Sequence, residues 1–83
     1  MNDWLEQARA DLAAAVGDDP AALPLSRADI DEILELARVA AHDSGARPNA
    51  PVVTYLAGIV RGRHPETDLS DLVNAVVGRT REA

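Results

Sequence analysis

SRADIDEILELARVAAHDSG, Ser26–Gly45, decides the fold. Ile30, Ile33, Leu34, Ala37 and Ala41 recur three and four residues apart, the spacing of one helix face, and Leu36 and Ala40 widen it. Ser26 with Asp29 three residues later has the spacing of a reciprocal N-terminal cap. Asp29, Asp31 and Glu32 oppose the positive end of the helix dipole. Ser44-Gly45 ends the segment.

Three further helices are read outward from this one. MNDWLEQARADL opens the chain, and a helix is expected from Asp3 to Val16, capped by Asp3 with Glu6 completing the capping box. Trp4, Leu5, Ala8, Leu12 and Val16 form its apolar face, with Trp4 expected as a core anchor; the alternative is a partner surface. Pro20 and Pro24 break the helical pattern over residues 17–25, and Leu23 and Leu25 are expected to pack back on the core. On the C-terminal side, Asn49 reads as an N-cap and Pro51 suits a first turn, where no amide donor is needed. The helix is expected over Ala50–Arg61 with Val52, Tyr55, Leu56, Ile59 and Val60 facing inward. Gly58 would permit a close helix crossing, and Gly62 and Pro65 would end the segment. A last helix is expected from Thr67 or Asp68, with Leu69, Leu72, Val73, Val76 and Val77 inward, a stop at Gly78 and a frayed tail beyond it. The expected fold is therefore all-α, one compact bundle of four helices over residues 1–83.

Composition bounds the function. A chain of 83 residues is one small domain with a thin core and little room for a deep ligand cavity. Trp4 and Tyr55 are its aromatics, so the core is aliphatic. The chain has no cysteine, which excludes disulfides, thiolate metal sites and a cysteine nucleophile. The acidic, amphipathic start does not read as a signal peptide and no apolar run spans a bilayer, so the expected location is cytoplasmic. The net charge of −6 argues against nucleic acid as a partner. Residues 1–43 carry a net −7, whereas Ser44–Pro65 holds Arg47, Arg61 and Arg63 and no acid. That stretch is a local basic edge able to hold one anionic group.

No catalytic or metal constellation is expected. His42, Asp43 and Ser44 are the residue types of a hydrolase triad, but neighbouring side chains on a helix point about 100° apart and cannot align as nucleophile, base and orienter. His42 and His64 lack metal-ligand spacing, and no cofactor is expected. The Asp43-Ser44 pair also invites comparison with acyl carriers, where such a serine holds a prosthetic group. There the serine opens a helix; here Ser44 closes one. The segment with most functional content is Arg47-Pro48-Asn49-Ala50-Pro51. Free amides at a helix start beside an arginine fork suit a phosphate or carboxylate. The other reading is that Asn49 caps the helix while Arg47 pairs with an acid on the preceding one. The candidate binding residues, for a partner or an anion, are Arg47, Asn49, Pro51, Tyr55 and His42.

MNDWLEQARADL, LELARVAAH (Leu34–His42) and ARPNAPVVTYLAGIVRG (Ala46–Gly62) together resemble a small helical domain of actinobacteria that occurs alone or fused to molybdenum-cofactor guanylyltransferase. The residues that carry the resemblance are Ala41-His42, Arg47-Pro48, Ala50-Pro51 and Tyr55. It implies an association with molybdopterin guanine dinucleotide biosynthesis, with that transferase or a molybdoenzyme as protein partner. The expected function is a non-catalytic accessory or protein-interaction module. The alternatives are a carrier modified at Ser44 and a homodimerising structural domain.

Overall fold

The computed structural model describes the backbone of residues 2–82 and the side chains of residues 2–78. Four helices account for it: α1 (Asp3–Ala15), α2 (Arg27–Ser44), α3 (Asn49–Arg63) and α4 (Leu69–Glu82), with a 3₁₀ turn at Pro20–Ala22 between the first two. The fold is all-α, as the periodicity required. No helix among the described residues is long and apolar enough to cross a membrane.

α2 is the central element, packed on both α3 and α4. Its start carries the reciprocal cap: Ser26 Oγ accepts from the Asp29 amide at 3.0 Å, and the Ser26 amide donates to Asp29 Oδ2 at 3.2 Å. Gly45 ends it at φ 71°, in the left-handed region that glycine enters without strain. The core is Leu36 and Val39 of α2 against Val73 and Val77 of α4, ringed by Val53, Ala57, Leu69 and Val76. The centre of the inner face of α2 is therefore Leu36, read from sequence only as widening it, together with Val39. Leu34, expected inside, is exposed. α2 meets two neighbours, so its buried face is wider and rotated relative to a single stripe.

α1 differs from its expected role. It packs on the 3₁₀ turn and makes no close backbone approach to α2, α3 or α4 among the described residues. Ala13 is its buried residue, and Trp4, expected as a core anchor, is 77% exposed. The cap is also one residue earlier than read. Asn2 accepts from the Leu5 amide at 2.8 Å, so Asp3 is the first helical residue and Glu6 is left to pair with Arg9 at 3.0 Å. Arg9 in turn reaches the Leu23 carbonyl at 3.4 Å and ties the connection to the helix.

α3 is corrected on three counts. Asn49 is its first residue, not its cap, and no side chain caps it. A backbone turn takes that role: the Asn49 amide donates to Ala46 O and the Ala50 amide to Arg47 O, both at 3.0 Å, so the chain winds into the helix with its amides engaged. The helix passes through Gly62 to Arg63 and stops before Pro65, which has no amide to donate. Its inner face is Val53, Thr54 and Ala57. Val52, Tyr55, Leu56, Ile59 and Val60, expected inward, are exposed. α3 is apolar nearly all round, so its periodicity could not select a face, and the smaller side chains took the close contact with α2. Thr54 donates to Ala50 O at 2.8 Å, which satisfies its hydroxyl inside.

α4 does not stop at Gly78. It is helical through Glu82, because Gly78 keeps a helical backbone; the glycines at positive φ are Gly17 and Gly45. The expected frayed tail is thus helical to Glu82, with its side chains outside the described residues. Gly58 permits no close crossing either. A Cβ built there meets nothing within 4 Å. Gly58→Ala is therefore expected to stabilise the protein by about 1 kcal/mol, the helix-propensity difference, in a urea melt. A loss of stability would show that another element lies against that position.

Candidate functional site

Because α1 stands apart from the other helices, an open groove of about 660 Å³ lies beneath it. That volume falls in the usual range for binding clefts. Leu5, Ala8 and Leu12, one face of α1 at spacings of three and four, form one wall. The opposite side is built from Ile33, Gly58, Gly62 and Leu69, and Leu23 and Leu25 line the groove from the connection. Pro20 and Pro24 keep that connection from continuing α1 as a helix. The space lies outside the core, between core and first helix.

The groove is apolar with a small polar share. Arg61 lies half-buried at its edge, and Arg9 lines it with a buried Nε that has no hydrogen-bond partner among the described residues. An orphaned buried donor is uncommon in folded proteins and marks a place where an incoming acceptor would be favoured. Asp29 also lines the groove, but its carboxylate is occupied by the Ser26 cap.

A second uncovered surface lies on the far side of α3. Val52, Tyr55, Leu56 and Ile59 fall at spacings of three, four and seven, on the face opposite Val53 and Ala57. Tyr55 is 71% exposed. Eleven large apolar side chains among the described residues are exposed, against five buried apolar residues. The chain exposes 6113 Å². A compact monomer of 8.8 kDa exposes about 4,800 Å², so the surplus is roughly 1,300 Å². Exposed apolar side chains grouped on one helix face in this way mark an interaction site.

The residues singled out from sequence fall outside the groove. His42, Arg47, Asn49, Pro51 and Tyr55 are all exposed. His42 Nδ1 lies 2.9 Å from Asp43 Oδ1, a local pair at the end of α2. Ser44 does not join it: its hydroxyl both donates to Ala46 O and accepts from the Ala46 amide, each at 3.2 Å. Arg47 is exposed, three residues beyond the end of α2. Arg38 is held above its ordinary pKa chiefly by its hydrogen bond to Glu35, a pairing on the surface of α2. Among the described residues no three His, Asp or Glu side chains come together as metal ligands would. What sequence reasoning missed is the groove itself. Gly58 and Gly62, four apart on an otherwise apolar helix, were its one legible sign.

A family model described as a domain of unknown function, DUF6457, matches residues 1–83. No curated protein and no solved structure matches the chain.

Proposed function

We propose that this chain, which belongs to the DUF6457 family, is a non-catalytic protein-interaction module that receives a partner's apolar helix in the groove beneath α1. The observation that carries the reading is the groove: an apolar cleft bounded by helices, open to solvent, with Arg61 and the orphaned Arg9 donor at its wall. Recognition of an amphipathic helix in such a groove buries its apolar side, and an arginine at the edge pairs with a carboxylate on the incoming segment. The outer face of α3, bearing Tyr55 and preceded by Arg47, is a second exposed apolar surface of the module.

The partner we propose, from the resemblance carried by Ala41-His42, Arg47-Pro48 and Ala50-Pro51, is molybdenum-cofactor guanylyltransferase or a molybdoenzyme. The test is calorimetric titration of the purified chain with the guanylyltransferase of the same organism. Saturable binding is expected, weakened at least about tenfold by Gly58→Leu, which fills the groove from a position where added carbons meet open space. No heat of binding, or binding indifferent to Gly58→Leu with the variant's unfolding curve intact, would remove the groove as the site.

A further inference from the structure

We infer that the uncovered faces of α1 and α3 cover each other between two copies of this chain: α1 of one copy lies antiparallel along the outer face of α3 of the other, and a twofold axis makes the contact twice. The inference rests on the interaction-module reading and names a second copy as an occupant of its apolar surface.

The first observation is that α1 is a helix without a helix partner. Trp4, Leu5, Leu12 and Val16 are exposed, and among the described residues α1 packs on the 3₁₀ turn and on no other helix. A short isolated helix is marginal in water; an amphipathic one is stabilised by covering its apolar face. The second is charge. α1 carries Asp3, Glu6 and Asp11 against Arg9, which Glu6 neutralises, with Asp18 and Asp19 just beyond it, whereas Ser44–Pro65 has no acid and brackets α3 with Arg47 and Arg63. Two copies of α3 laid together would set arginine against arginine. An antiparallel α1 instead sets Asp3 at the Arg63 end and Asp18 at the Arg47 end, and opposes the two helix dipoles. The lengths agree: 13 residues in α1 and 15 in α3 correspond to about 20 and 22 Å.

The third observation is area. A surplus of roughly 1,300 Å² on each copy is surface enough for an interface of standard size, about 1,600 Å² in total. The foreign-helix alternative needs only one of the two surfaces. Reciprocal docking uses both, and its twofold symmetry closes the assembly at two copies.

The test is sedimentation equilibrium of the full chain at low and high salt, with charge-reversed variants. The expected mass is that of two 8.8 kDa chains, with dissociation favoured at high salt. Asp3→Arg and Arg63→Glu are each expected to weaken the dimer about tenfold, because each variant sets like charges together at both contacts. Mixed one to one, the two variants are expected to dimerise as the parent chain does. In the mixed pair one contact is native and the other has both charges exchanged. A dimer that mixing does not restore would overturn the α1–α3 pairing. A monomer up to about 500 µM would overturn the second copy as occupant. In that case an apolar dye separates the two readings: strong binding to the monomer leaves the interaction module standing, and none removes it as well.

Discussion

Leu36→Ala is expected to cost about 3 kcal/mol, whereas Leu34→Ala, two residues away on the same helix, costs under about 1. Leu36 has no exposed surface and sits among Val39, Val73 and Val77. Its truncation removes the transfer energy of three carbons and leaves a cavity that α2 cannot close without pulling away from both neighbours. Leu34 is 61% exposed and loses little. Stability for 83 residues is about 4–12 kcal/mol by general scaling, and a core of five buried apolar residues among those described favours the lower end. The Leu36 variant is thus expected to keep only about 1 kcal/mol of stability, with a measurable unfolded fraction in the absence of urea. Urea melts followed by circular dichroism decide the ranking. The reverse order, with Leu34 the costlier site, would place a different face of α2 in the core.

Tyr55→Glu is expected to do the opposite: leave the fold intact and abolish association. The side chain stands on the outer face of α3 among Val52, Leu56 and Ile59. A carboxylate there stays in water in the free chain, so the unfolding curve shifts by no more than about 0.5 kcal/mol. In a covered interface the same charge is buried unpaired, next to what had been an aromatic anchor. The expected loss of association is about a hundredfold or more. A Tyr55→Glu chain that unfolds would instead return Tyr55 to the core role expected from its helical spacing.

That contrast shows where the sequence was legible. α2 was readable to the residue at both ends, because Ser26, Asp29 and Gly45 each satisfy a specific backbone group. The existence of all four helices followed from spacing and from Pro20, Pro24 and Pro65. Which face of α3 turns inward did not. A helix with apolar residues on every side has no moment to orient it, and the decision fell to size: Val53 and Ala57 let α2 approach where Tyr55 and Leu56 would hold it off. The position of α1 was hidden for a related reason. Trp4, Leu5, Leu12 and Val16 have the pattern of a core-facing stripe, and a stripe meant for another molecule has the same pattern. The groove is a tertiary consequence of that placement, so Leu5 and Leu12 read as core, and Gly58 read as a crossing point when it borders open space. Asn49 shows a smaller ambiguity. Its residue type suits a cap, but the turn at Arg47-Pro48 already supplies what a cap would.

Trp4 is the chain's one tryptophan, so its fluorescence reports on α1 alone. With the indole exposed on a helix that packs on no other helix among the described residues, dilute protein should emit at the red, water-exposed end of the tryptophan range and be readily quenched by acrylamide. As association proceeds, through rising concentration or an added partner, the emission should move to the blue and the quenching should fall. Blue, shielded emission from the dilute monomer would contradict this, because it would mean that α1 is already folded onto its own body and that no groove stands open.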